Sequence, residues 1–408
     1  MAEDNQDADY LLEESVPLVP DQGEDETDLD DPPSTFVASI SSKDWTVETL
    51  VSQMRKGRID LAPSFQRRNA WLGGRKSKLI ESIMLQFPIP QIVIAEEPHR
   101  QGHFFVLDGK QRLLALRQFF VDPQEERDQD FEPLRLTGLE VLPELNRFTI
   151  AELEAKRPDL LATVENHSIR TVVLGDWNSE RMLLSLFLRL NTGSVPLSPQ
   201  ELRQALIHGD FIRWLDRNSG DSVALQTLLN NRNPDRRMVD AELLLRHLAF
   251  SMSPVPYRGN LKSFLDDTSR VFNREWDSRE GQLDAALAEF ERGVLAGIEA
   301  FGHDAFARKW TSGDGKPDRF ERALNRAVFD VQGYAFAIPR VRDAIVPRAD
   351  EVLAEFKVLS GTNDSFIRAI SATTKTPDAF ITRHRAWRDT VAKVTGATYE
   401  LPAPLIRT

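Results

Sequence analysis

Three short stretches of the chain gather polar and charged residues where a packed core would have little use for them. In the first, Asp108-Gly109-Lys110-Gln111-Arg112, an acid, a glycine and two bases follow the apolar run Phe104-Phe105-Val106-Leu107. They precede a run carrying Leu113, Leu114, Leu116, Phe119 and Phe120. The spacing of the two runs predicts a strand and then a helix, so the five residues fill a strand-to-helix turn. The first N–H groups of a helix lack partners within it and its dipole is positive there, which makes such a turn an anion site. Gly109 lets the backbone approach a ligand closely. Lys110 and Arg112 add positive charge, and an arginine can grip a phosphate through two parallel hydrogen bonds. Asp108 would be repelled by a phosphate unless a metal ion or a transferable proton stood between them; a nucleotide with Mg²⁺ accommodates all of these residue types. On these residues alone, a surface turn with a solvated charge pair is the competing reading.

The second stretch is Gln66-Arg67-Arg68-Asn69 with Trp71, just before a helix. Either Trp71 is a hydrophobic anchor for that helix, or Gln66 and Arg67 face a ligand that Trp71 closes or stacks over. The third is Arg189-Leu190-Asn191-Thr192-Gly193, a helix end in which Asn and Gly supply the left-handed turn. Capping accounts for Asn191 and Gly193 but leaves Arg189 unassigned.

The elements that must hold these residues fall into two groups. Trp45 to Lys56 reads as an amphipathic helix ended by Gly57, followed by an extended Ile59 to Pro63. Lys76 to Gln86 carries Leu79, Ile80, Ile83 and Met84 at helical spacing and is stopped by Pro88 and Pro90. Gln91 to Ala95, the run before Asp108, Leu134 to Leu142 and Ile169 to Leu174 are candidate strands. Beyond Trp177 the pattern is helical. Arg181 to Leu190 is followed by a capping box of Ser198, Pro199 and Glu201, and further helices read at 240–251, 262–275, 279–300, 318–336, 339–358, 364–372 and 377–395. The fold class is therefore α+β: a small mixed sheet domain over residues 36–176 and a mostly helical domain over 177–408.

Composition bounds the chemistry. The 408 residues are 41% hydrophobic and hold no cysteine, which excludes disulfides, thiolate metal sites and a cysteine nucleophile. No apolar run approaches the ~20 residues of a membrane span and no secretory signal opens the chain, so a cytoplasmic protein with no membrane partner is expected. The net charge of −12 is uneven. Residues 1–35 hold thirteen acids and no Lys or Arg, which leaves the rest at −12 + 13 = +1. This tail reads as disordered. It is either a solvated arm or one that competes with a polyanion for a basic groove.

Taken in order, PSFQRRNAW, KLIESIMLQFPIP, DGKQRLLAL, FLRLNTGSVPLSPQELR, VDAELLLRHLAF and YRGNLKSFLDD span about residues 45–270. Through them the chain resembles the N-terminal domain family of GmrSD-type restriction endonucleases, a bacterial group with a ParB/sulfiredoxin-like fold. The later ERALNRAVFDV is similar to the same family. The resemblance implies a part in defence against phage and other foreign or modified DNA, with binding and hydrolysis of a nucleoside triphosphate. It places the family's DGQQR-like motif on Asp108, Gly109, Lys110, Gln111 and Arg112, with Lys110 in place of the commoner Gln. Asp108, Gln111 and Arg112 would then be catalytic, and Asp108 would also hold Mg²⁺. The QR-containing loop falls on Gln66 and Arg67 with Trp71, and the RxNTGG-like motif on Arg189, Asn191, Thr192 and Gly193, with Ser194 for the second Gly.

Two-part relatives carry an HNH nuclease, but the seven histidines here include no Asp-His pair, so no HNH centre is expected. The leading expectation is an NTP-binding, NTP-hydrolysing component of an anti-phage, restriction-like system. Its partners would be DNA and a nuclease or other defence protein, and a homo-oligomer is open to it. A non-catalytic DNA-binding module and a ParB-like nuclease are the alternatives.

Overall fold

The computed structural model describes residues 17–18, 38–59, 61, 71–97, 100–122, 125, 131–178, 183, 186, 198–207, 209–312, 318–372 and 374–405. They divide into two compact units. One spans residues 29–208 with 236–238; the other holds 209–235 and 239–408, and Pro17 and Leu18 belong to it. The sheet unit thus runs past the 176/177 boundary read from the sequence. The reason lies in its second face, which is covered by Leu183, Leu186 and Leu202.

The sheet unit is built from β1 (Ser39–Thr46), α1 (Val47–Arg55), α2 (Gly73–Met84), β2 (Ile92–Glu97), β3 (Arg100–Asp108), α3 (Lys110–Phe119), α4 (Ile150–Lys156), α5 (Pro158–Asn166), β4 (Ser168–Gly175) and α6 (Pro199–Leu206). Its four strands lie in the order β1-β4-β2-β3, with β2 and β4 parallel and the other pairs antiparallel. Alternation along the strands loads both faces. Ile92, Ile94, Val106, Ile169 and Val173 join the main core with Leu50, Ile80, Leu113, Leu116, Phe119 and Val164. Val93, Ala95, Leu107 and Leu174 face the other way, into the smaller cluster with Leu183 and Leu202.

Two readings of this unit need correction. Leu134 to Leu142 is not a strand but an irregular segment. Its buried Leu134, Leu136 and Leu139 mimic strand alternation, yet side chains take up several of its N–H groups. Thr137 donates to Ser77 Oγ at 3.0 Å and Leu139 to Asn146 Oδ1 at 3.1 Å, while Glu140, Val141 and Leu142 all donate to the Glu81 carboxylate. Trp45 belongs to β1 rather than to the following helix, which Thr46 caps. β1 went unread because most of its side chains are exposed, so no apolar period marks it.

The helical unit comprises α7 (Asp210–Asp221), α8 (Val223–Leu229), α9 (Val239–Met252), α10 (Leu261–Arg274), α11 (Trp276–Phe301), the small pair β5 (Trp310–Thr311) and β6 (Arg319–Phe320), α12 (Arg326–Phe336), α13 (Pro339–Ile345), α14 (Ala349–Thr362), α15 (Asp364–Ser371) and α16 (Pro377–Thr395). The helix read at 318–336 starts only at Arg326, where Asn325 Oδ1 accepts from Val328 N at 2.9 Å. The one read at 339–358 is interrupted by a 3₁₀ turn over Val346–Arg348, since Pro347 has no N–H to continue it. Asp330 is the buried centre of the unit. Its carboxylate accepts from Arg246 at 2.6 Å and from Arg383 at 2.8 Å, while Arg326 donates to Glu242 at 2.9 Å.

Candidate functional site

Asp108 ends β3 opposite Val93 at the start of β2, just past a register shift between Val93 and Ile94. Gly109 then turns the chain with φ +93°, and a Cβ there would stand 2.9 Å from Ile92 Cγ1. Both the dihedral and the closeness of a core strand require glycine at this point. Gly109 precedes the first turn of α3 and its carbonyl accepts from Leu113 N at 2.9 Å, but no side chain caps the helix. Lys110, Gln111 and Arg112 form that first turn, and Leu113, Leu114, Leu116 and Phe119 anchor the helix in the core.

The charged pair of the motif is joined. Arg112 Nη2 donates to Asp108 Oδ2 at 2.6 Å and to the Gln91 carbonyl at 3.0 Å. The Arg112 side chain is 15% exposed and Asp108 32%, so the guanidinium is held at the wall of the turn with its partner nearer solvent. Two buried polar atoms of this first turn, Arg112 Nε and Gln111 Oε1, have no hydrogen-bond partner among the described residues. A buried donor and a buried acceptor left unpaired are costly and call for a partner that the described residues do not supply.

Of the other sequence-derived residues, Trp71 packs partly buried against the main core, with the Arg75 guanidinium 4.7 Å from its ring centroid. It is an anchor for α2, whatever else it touches. Gln66, Arg67, Arg189, Asn191 and Thr192 lie outside the described residues. The capping box is present, with Ser198 Oγ accepting from Glu201 N at 3.1 Å and Glu201 Oε2 accepting from Ser198 N at 2.6 Å.

Sequence reasoning passed over Glu81, the side chain that staples the 140–142 segment to α2. Burial alone would push its carboxyl up, but the N–H groups of Leu142, Val141 and Glu140 outweigh that and hold it below the usual carboxylate range. Its only signal was an acid on the apolar stripe of a helix.

Among the described residues no three His, Asp or Glu side chains gather in a way that could hold a metal ion. With Asp108 Oδ2 engaged by Arg112, Oδ1 is the carboxylate oxygen left to face a cation. That donor set fits an ion carried in on phosphates, since Mg²⁺ keeps most of its waters and takes one or two carboxylates. It does not fit a cage made by the protein. No helix among the described residues is long and apolar enough to cross a membrane.

A four-stranded mixed sheet with a basic, glycine-turned strand-to-helix junction, followed by a helical region, defines an α+β protein. Residues 47–208 match the family model described as GmrSD restriction endonuclease, N-terminal domain. That segment is thus similar to this restriction-endonuclease family, the one the motifs resemble, and the similarity points to a restriction-like defence setting. The match ends at residue 208, where the main run of the sheet unit ends. No curated protein and no solved structure matches the chain.

Proposed function

We propose that the sheet unit binds and hydrolyses a nucleoside triphosphate as a component of a DNA-directed, anti-phage defence system. The reading rests on one observation: the Arg112 guanidinium is fixed beside the uncapped N-terminus of α3, at a turn that glycine keeps open. A helix N-terminus and a preset arginine together favour a phosphate group over a neutral ligand. In this reading Arg112 and the N–H groups of the first turn hold phosphate oxygens. Gln111 turns its unpaired Oε1 to an attacking water, and Asp108 orients Arg112 through Oδ2. Asp108 Oδ1 would hold the nucleotide's Mg²⁺, which when bound supplies charge neutralisation at the phosphates. Gln66, Arg67, Lys110, Arg189, Asn191 and Thr192 join the binding set through the family resemblance, and so does kinship with ParB/sulfiredoxin-like folds.

A panel of nucleotides tested by thermal shift, with and without Mg²⁺, at low and moderate salt, examines this. A rise in melting temperature for triphosphates that persists at moderate salt is expected. A chain that ignores every nucleotide but binds DNA with a steep loss of affinity as salt rises would make the turn a backbone-phosphate contact of a DNA-binding module.

A further inference from the structure

The acidic N-terminal arm meets the helical unit at a defined place. Leu324 is fully buried, its N–H donates to the Pro17 carbonyl at 2.7 Å, and Leu18 and Leu324 form a parallel β-bridge. Leu324 lies in a short ladder of its own unit, since Glu321 N donates to the Lys309 carbonyl and Asn325 N to the Ala307 carbonyl, each at 2.9 Å. Pro17 and Leu18 therefore bridge to the 321–325 edge at one point, the kind of backbone contact by which an extended peptide is taken up at a sheet edge.

The chemistry of that ladder is basic. Its described residues include four bases (Arg308, Lys309, Arg319 and Arg322) against two acids (Asp318 and Glu321), whereas residues 1–35 hold thirteen acids and no base in the sequence. Arg308 is only 2% exposed, yet its one hydrogen bond among the described residues is a 3.5 Å contact with the Phe306 carbonyl. Burial lowers its pKa to about 10, and the countercharge nearest at hand, Asp304, is fully exposed. A buried cation so poorly matched favours a carboxylate brought in by a ligand.

We propose that the 307–309 and 321–325 ladder of the helical unit is a docking edge for an extended acidic peptide, and that the arm around Pro17 and Leu18 is its resident occupant. Backbone pairing at Leu324 sets the register, and Leu18 supplies the apolar contact. Arg308 with its basic neighbours selects for the carboxylates of an acidic peptide, and the sequence around the anchored pair is rich in acids. Tethering keeps the arm at an effective concentration of the order of mM, so a peptide offered from solution competes poorly with it.

The test uses the full chain carrying Leu18→Asp, which breaks the anchor at a half-buried position, and a fluorescent synthetic peptide spanning residues 10–26. Deuterium exchange over residues 318–330 should rise in the variant and stay unchanged elsewhere. The peptide should bind the variant at least ~10-fold more tightly than the wild type, by the tethering argument above. That binding should weaken with salt and in a Leu18→Asp, Arg308→Lys double variant, in which the charge stays but the fork is lost. Unchanged exchange at 318–330, or a peptide that binds neither protein or both equally, overturns the proposal.

Discussion

Arg112 is held by two acceptors, the Asp108 carboxylate and the Gln91 carbonyl, so the phosphate of the proposed nucleotide would find it with little rotamer entropy left to lose. This joins the two residues that the sequence left as an odd pairing of acid and base. Asp108→Asn is expected to weaken nucleotide binding only several-fold, because an amide oxygen still accepts from Arg112. Turnover should fall by about 10²-fold or more, the range of a lost catalytic polar group. Equilibrium titration beside single-turnover kinetics separates the two, and equal loss of affinity and rate would contradict a role for Asp108 beyond orienting Arg112. The residue scale is also where sequence reading was weakest. Glu81 and Asp330 look like ordinary charged helix residues in the chain, and only the three N–H groups that converge on one and the arginines that converge on the other reveal them.

At the scale of elements, the strand-to-helix turn works because Gly109 tolerates a positive φ directly against Ile92. Gly109→Ala should cost about 1–3 kcal/mol of stability through the strained backbone alone, with Ile92 forced to shift as well; urea denaturation of the purified variant measures it. Glu81→Ala should free the 140–142 segment, at about 1–3 kcal/mol for the N–H groups it strands. The carboxyl is held low in the folded state, so its contribution is present above the ordinary carboxylate pKa and lost as pH falls from there through the lowered folded value. Denaturation at neutral and acid pH should therefore show the variant converging with the wild type in acid.

Much of this layer could be read in advance. β2, β3, β4, α3 and the long helices follow apolar period, and Ser198, Pro199 and Glu201 announce α6. β1 and the 134–142 segment could not be read, the first because its side chains lie in water and the second because side chains rather than a neighbouring strand satisfy its backbone.

At the scale of the whole molecule, the helical unit is organised around buried charge. Asp330 holds two arginines with all three side chains essentially buried. Asp330→Asn should destabilise the unit by about 3–5 kcal/mol, because it leaves buried cations without their counter-ion; chemical denaturation followed by circular dichroism reads this. Nearby, burial lowers His247 to about 4 and His384 to about 3. The unfolded chain would take up protons on both as pH drops below about 6.5, while the native state refuses them, so stability should be lost progressively from there down to the folded values. His384→Leu should flatten that slope without losing a hydrogen bond, since neither ring nitrogen makes one among the described residues.

The central claim is that the Asp108–Arg112 turn receives the phosphates of a nucleotide. Calorimetric titration of a nucleoside triphosphate into the full chain and into its Arg112→Ala variant, each checked for unchanged circular dichroism, tests it most directly. Saturable binding by the wild type and a loss of at least ~10-fold in the variant, the worth of a charge-assisted hydrogen bond to phosphate, are expected. Equal affinity in the two proteins, or no binding of any triphosphate by the wild type, would contradict it.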